Sequence, residues 1–231
     1  MKKSFFTLSL AGIFVLASFL LISCGPSLVE TRGKLYPKMY DYAPASIVIM
    51  PPINQTNTVE AADYLHTSLA VPLMERGYYV FSPNLSMELL QAESAADAER
   101  FIDSKSLTPF ANVFGADAVL FTKITKWNKH SVLSRIEVEI EYILKSTKDA
   151  STLFNRKVDL VLDQSQTISG GGLLGLLGNM AVTALTEKIT VARKANIFVL
   201  NDLPSGKYRS DFGKDQEVKA YTQHLSHVTV K

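Results

Sequence analysis

The run Arg135-Ile136-Glu137-Val138-Glu139-Ile140-Glu141-Tyr142-Ile143-Leu144-Lys145 alternates charged and apolar side chains from Arg135 through Tyr142. A period of two puts Ile136, Val138, Ile140, Tyr142 and Leu144 on one face of an extended strand and the three glutamates on the other. A half-buried strand is the prediction. Ser146 to Ser151 carries turn chemistry, and Phe154, Val158, Leu160 and Leu162 continue the apolar face on a return strand, so the pair reads as an antiparallel hairpin. Pairing Leu144 with Phe154 sets Ile140 against Val158, Val138 against Leu160 and Ile136 against Leu162. On the opposite face this register places Glu141 across from Lys157, which is favourable, and Glu139 across from Asp159, which costs a few tenths of a kcal/mol. A one-residue slip would turn the whole apolar set to solvent, so the register stands.

Upstream, Ser46 to Met50 is a short β-branched run stopped by Pro51-Pro52 and reads as a buried strand. After turn-rich Asn54 to Thr58, Ala61, Ala62, Leu65, Leu69 and Leu73 recur at helical spacing, with Pro72 placed to kink or shorten that helix. Gly77 ends it, and Tyr78 to Phe81 predicts a strand, which makes a crossover unit. Asn84 to Leu90, Ala95 to Ile102 and Thr108 to Phe114 are short helical stretches, the last stopped by Gly115. Ala118 to Ile124, apolar on both faces, has the pattern of a central strand covered by helices on each side. Downstream of the hairpin the reading gives a helix over Leu173 to Val191, a strand over Asn196 to Leu200, a loop through Leu203-Pro204-Ser205-Gly206 and a helix from about Lys214 to Leu225. The fold class is α/β (α+β), a mixed sheet with helices packed against it, forming one domain over residues 45–231.

The amino-terminal segment assigns a compartment. Lys2 and Lys3 precede an apolar run from Phe5 to Ile22, and Leu21-Ile22-Ser23-Cys24 closes it, resembling the lipobox of a bacterial lipoprotein signal peptide over residues 1–23. Cys24 is the only cysteine in the chain, and acylation explains a lone thiol that no internal disulfide can take up. An Asp after the Cys would resemble an inner-membrane retention signal; Gly25 stands there instead, and the resemblance implies the periplasmic face of the outer membrane. Pro26 to Pro44 has no clear period, so residues 24–44 read as the lipidated Cys and an extended tether. The net charge of +2 lies in Lys2 and Lys3, so residues 24–231 are electrically balanced. That argues against nucleic acid as a partner and leaves the lipid at Cys24, not a basic surface, to hold the bilayer.

No constellation specifies a reaction. His224 and His227 have a spacing a metal could use on a helix, but a histidine pair alone does not fill a coordination shell, and no metal is assigned. Gly170 to Gly178 lacks the Gly-Lys-Ser/Thr ending of a phosphate loop. Gly171 and Gly175 with Leu173, Leu174, Leu176 and Leu177 instead form a small-residue and leucine face, either buried core or an oligomer contact. Glu137, Glu139 and Glu141 form an acidic stripe at strand spacing, best read as a solvated face. Neither a nucleophile elbow nor paired carboxylates stand out, so no catalytic residue and no cofactor is assigned.

Several strings are similar to those of a family of uncharacterised Gram-negative lipoproteins: Met50-Pro51-Pro52 with Asn54, Pro72-Leu73 leading to Glu75-Arg76-Gly77-Tyr78-Tyr79-Val80, and Gly115-Ala116-Asp117-Ala118-Val119-Leu120 followed by Ile124 and Trp127. The loop Leu203-Pro204-Ser205-Gly206-Lys207-Tyr208 and Gly213-Lys214-Asp215 complete the match. In that family the loop more usually reads Gly-Pro-Tyr-His-Pro; Lys207, Arg209 and Ser210 stand in its place here, so no role of that histidine carries over. The resemblance implies a fold like the amino-terminal domain of TolB and the company of curli-secretion-type lipoproteins. The expectation is therefore a binding and assembly component of an envelope secretion or transport complex, oligomeric and not an enzyme. A periplasmic small-ligand-binding module and a hydrolase-type enzyme are the alternatives.

Overall fold

The structure is a computed structural model describing residues 28–93, 96–130, 135–163 and 188–230. In chain order the elements are β1 (Leu28–Thr31), α1 (Arg32–Leu35), α2 (Pro37–Tyr42), β2 (Ser46–Ile49), β3 (Ile53–Asn54), α3 (Ala61–Ser68), α4 (Ala70–Glu75), β4 (Tyr79–Val80), α5 (Pro83–Ala92), α6 (Ala98–Ile102) and α7 (Thr108–Phe114). Then come β5 (Ala118–His130), β6 (Arg135–Ser146), β7 (Thr152–Asp163), a helix α8 described over residues 188–200, β8 (Lys219–Tyr221) and β9 (His224–Val230).

A mixed sheet runs in the order β4-β2-β5-β6-β7-β9, with β3 also pairing β5. Its β4, β2, β3 and β5 members are parallel, β5-β6-β7 is an antiparallel meander, and β9 returns parallel to β7. The parallel part is buried on both faces, as crossover connections require. Ile47, Ile49, Ala118 and Leu120 meet Leu65, Leu69 and Leu73 of α3–α4 and Val191, Ala195 and Val199 of α8 on one side. On the other side, Val48, Met50, Val119 and Phe121 meet Leu90 of α5, Phe101 of α6 and Phe110 of α7.

The β6–β7 hairpin has the register its apolar alternation requires: Leu144 opposes Phe154, Ile140 Val158, Val138 Leu160 and Ile136 Leu162. The α3–α4 break at Leu69 follows from Pro72, which has no N–H to offer the carbonyl one turn back. Gly77 and Gly115 end their helices at φ +83° and +66°, in the left-handed region that a Cβ disfavours.

Three expectations fail, and two of them fail together. Residues 28–44 are not a free tether. Tyr36 and Met39 are in the main core, and β1 pairs antiparallel with β8, Thr31 opposite Lys219. The helix expected over Lys214 to Leu225 is instead a turn followed by β8 and β9, because β8 has β1 as a partner and β9 has β7. Asn196 to Leu200 is the end of α8 rather than a strand. Its buried positions, Ala192, Ala195, Asn196, Val199 and Leu200, keep the helical period across the boundary. Most of the helix expected over Leu173 to Val191 lies outside the described residues.

Candidate functional site

Cys24 and the Gly171, Leu173, Leu174, Gly175, Leu176 and Leu177 face lie outside the described residues. The described residues contain two other concentrations of polar chemistry: a buried charge cluster that fastens the amino-terminal segment, and an open groove on the opposite side of the sheet.

The cluster is built where β1 and α1 cross the carboxyl-terminal segment. Arg32 donates Nη1–H to Asp215 Oδ2 at 2.9 Å and Nη2–H to the Asn201 carbonyl at 3.1 Å, and lies 3.6 Å from Asp202. Arg76, at the end of α4, reaches the same Asp215 oxygen at 3.4 Å and donates to Ser205 Oγ at 3.0 Å. Arg156, fully buried on the inward face of β7, meets Asp202 at 2.7 Å and donates to Tyr36 Oη and the Tyr221 carbonyl at 2.7 and 2.9 Å. Tyr40 donates to the second Asp215 oxygen at 3.1 Å, and the Ser205 N–H donates to the first at 2.9 Å. Three guanidinium groups thus share two carboxylates away from water. Burial pushes the Tyr40 hydroxyl well above its ordinary value, and the Asp215 charge pushes it the same way, so it stays a donor. Burial lowers the Arg76 pKa, and the neighbouring Arg32 charge adds to the shift.

The loop after α8 locks on to this cluster through backbone. The Gly206 N–H donates to the Arg76 carbonyl at 2.7 Å, Tyr208 N–H to the Gly77 carbonyl at 3.0 Å, and Tyr78 Oη to the Pro204 carbonyl at 2.6 Å. A Cβ on Gly206 would collide with the Gly77 carbonyl, so only glycine allows the two backbones to approach. Asp117 does a related job on the other side of β2, at the start of β5. One of its oxygens accepts from the Ala45 and Ser46 N–H groups and from Ser46 Oγ, fixing where β2 starts beside β5.

Sequence reasoning missed this cluster, although one signal was present. Arg156 falls at an inward-facing position between Phe154 and Val158, and a charge on an apolar strand face requires a buried partner. Asp202 and Asp215 carry no such signal, since their neighbours in sequence do not alternate.

The remaining candidates resolve differently. His224 and His227 are both exposed on β9; His224 lies opposite Lys157, whereas His227 sits at a bulge where two residues oppose Asp159, with φ +53° and Nδ1 3.3 Å from Asp159. Among the described residues no group of three or more His, Cys, Asp or Glu side chains could hold a metal ion. The acidic stripe is a ladder of pairs: Glu137 with Lys126 at 2.7 Å, Glu139 with Lys157 at 2.8 Å and Thr125 at 2.6 Å, and Glu141 accepting from Asn155 at 3.1 Å. Lys157 thus serves Glu139 rather than the Glu141 directly opposite it, which offsets the unfavourable Glu139–Asp159 pairing. The hydrogen bonds from Lys126 and Lys157 hold Glu137 and Glu139 below the usual carboxylate value.

The groove, about 520 Å³, runs between α6 and the outer face of β5–β7. Lys123, Glu141, Lys145, Thr152 and Asn155 line its floor with Ile143, while Glu99, Ile102 and Asp103 form the wall.

Among the described residues the fold is a mixed α/β domain, and the family match gives its class, a lipoprotein domain. Residues 35–199 match the family described as "Putative lipoprotein GNA1162-like", and the chain belongs to that family. It is 26% identical over 159 residues to "Putative lipoprotein NMB1124/NMB1162" of Neisseria meningitidis serogroup B (strain ATCC BAA-335 / MC58), a match covering 67% of this chain and 72% of that protein. Among solved structures, the crystal structure of lipoprotein GNA1162 from Neisseria meningitidis is 26% identical, with a TM-score of 0.47, and covers 62% of this chain and 99% of that one. A PelC dodecamer from Paraburkholderia phytofirmans is 13% identical, with a TM-score of 0.39, covering 68% and 86%.

Proposed function

We propose that the protein is a lipid-anchored lipoprotein on the periplasmic face of the outer membrane, serving as a binding and assembly component of an envelope secretion or transport complex. The observation that carries this reading is how few residues separate β1 from Cys24 in the sequence. Only Gly25-Pro26-Ser27 separates Cys24 from β1, and β1 and α1 are clamped to the domain through Arg32. With Cys24 acylated, the domain is held within about 14 Å of its lipid, four extended residues at about 3.5 Å each. Such a domain works at the membrane surface rather than out on a long stalk. Self-association through the Gly171 to Leu177 face, and contact with other envelope lipoproteins of the curli-secretion type, belong to the same reading. So does the absence of a catalytic role.

Fractionation of cells carrying Cys24→Ala tests the anchor. The variant leaves the membrane fraction with its fold intact; a variant that stays with the membrane overturns the lipoprotein assignment. Affinity recovery from solubilised envelopes tests the assembly role. It is sunk by recovery of a monomer without any partner lipoprotein.

A further inference from the structure

Helix α5 turns the wrong side chains to solvent for a helix that only covers a core. Ser86 and Leu90, one turn apart, are buried, whereas Leu85 and Leu89, also one turn apart, stay 62% and 48% exposed. Val113 on α7 is exposed as well. Between the two helices lies a cleft of about 220 Å³, floored by Leu90, Phe101 and Phe110 and rimmed by Leu89, Val113 and Phe114. Phe114 carries the apolar surface on to the edge of the sheet: its ring lies 5.6 Å from that of Phe81, which meets the exposed Tyr79 of β4 at 5.0 Å. Single exposed leucines need no partner, but a contiguous apolar surface of this kind marks an interface.

The charge around the cleft narrows the choice of partner. Residues 83–115 hold five exposed carboxylates, Glu88, Glu93, Asp97, Glu99 and Asp103, against Arg100 and Lys105, a net charge of −3 within a balanced 24–231. None of these side chains has an ion pair among the described residues. Glu93 lines the cleft itself, and Arg100, the one cation lining it, lies over the Phe101 ring at 5.4 Å. Glu99 and Asp103 are on the other flank of α6 and add to the field from there. A field of this sign opposes a second copy docking by the same face, since like charges would meet, and opposes an anionic lipid surface equally. It favours a cationic partner. At about 220 Å³ the cleft is smaller than the roughly 300 Å³ at which small-ligand sites begin, so it suits one or two side chains of a docked segment.

We propose that the α5–α7 face docks a basic amphipathic helix of another protein. Its apolar side chains, at i, i+3 and i+4, enter the cleft beside Leu89 and Val113, and flanking lysines or arginines meet Glu88 and Glu93. This rests on the binding role proposed above and gives that role a surface and a partner chemistry.

The test is a calorimetric titration of the full chain in nonionic detergent micelles with a blocked peptide that has leucine at i, i+3, i+4 and i+7 and lysine elsewhere. A counterpart with glutamate for every lysine is titrated alongside, and empty micelles give the background for both. The lysine peptide binds saturably, and the glutamate peptide binds at least about tenfold more weakly. Leu89→Ser and Val113→Ser, at positions already open to water, keep the thermal midpoint and weaken the lysine peptide at least about fivefold. Glu93→Gln, which takes nothing from the core, weakens the lysine peptide and not the glutamate peptide, and carries the decision if a serine variant loses stability. The proposal is overturned if the wild type shows no saturable binding, if the two peptides bind alike, or if Leu89→Ser and Glu93→Gln both bind the lysine peptide as the wild type does. A sedimenting dimer that Leu89→Ser dissociates would also overturn it, by giving the face to a second copy. Such a failure leaves the anchor and the recovery of partner lipoproteins standing, because neither Cys24 nor a native partner enters the titration.

Discussion

Asp215 has the least replaceable side chain in the buried cluster. It is 3% exposed and accepts from Arg32, Arg76, Tyr40 and the Ser205 backbone at once. Removing its charge leaves two guanidinium groups buried against each other, a situation that costs about 3–5 kcal/mol in buried pairs stripped of one partner. Asp215→Asn is thus expected to lower the unfolding free energy obtained from urea titration by that amount, and a loss below about 1 kcal/mol, the worth of an exposed pair, would place the cluster in water. His66 gives a second residue-scale expectation. Its ring is buried on α3, and desolvation lowers its pKa, partly countered by a hydrogen bond with the Ile49 backbone. The unfolded chain binds a proton near pH 6.5 while the folded one resists it, so stability is complete above pH 6.5 and falls as pH drops below it towards the folded value. His66→Gln flattens the dependence of the unfolding midpoint between pH 7 and 5; an unchanged slope would assign it to other groups.

At the scale of elements, the sequence is legible where a partner is close by. The β6–β7 hairpin could be read to the residue because both its strands alternate and a short turn joins them, leaving one register that buries Ile136, Val138, Ile140 and Leu144 together. The β2, α3–α4 and β4 crossover was likewise visible from periodicity, Pro72 and Gly77. β1 and β8 were not legible. Each is too short to show a period, and each is a strand only because the other is there. The tether expected over residues 24–44 and the helix expected from Lys214 to Leu225 both fail on that one pairing. The groove was hidden for the same reason, since its wall and floor come from α6 and from strands that do not adjoin it in sequence. A chain beginning at residue 32 should therefore show faster amide exchange at Lys219 and Ala220 while Ile140 and Val158 stay protected. Unchanged protection at Lys219 and Ala220 would mean that β8 stands without β1.

For the whole molecule, the distance between lipid and domain is the property that the proposed assembly role depends on. Inserting a flexible Gly-Ser segment of about ten residues after Cys24 lengthens the connection by roughly 16–19 Å root-mean-square without touching the core. The unfolding midpoint and membrane fractionation stay as they are, and recovery of partner lipoproteins falls. Undiminished recovery would show that height above the bilayer is irrelevant to assembly.

The Arg32–Asp215 contact, spanning 183 positions, also bears on the order of events during export. Chain emerging from a translocation channel presents Arg32 and Arg76 long before Asp202 and Asp215 follow. Until then both guanidinium groups remain hydrated, and β1 has no strand beside it. Contacts of such sequence separation form late and slow the folding of the chains that hold them. In the lipoprotein proposed above, the domain could close only after most of the polypeptide had crossed, and the segment that carries Arg32 would be the last to be secured. On that reading the charge cluster would bear on timing as well as stability, leaving the chain threadable until the residues that complete it are on the same side of the membrane.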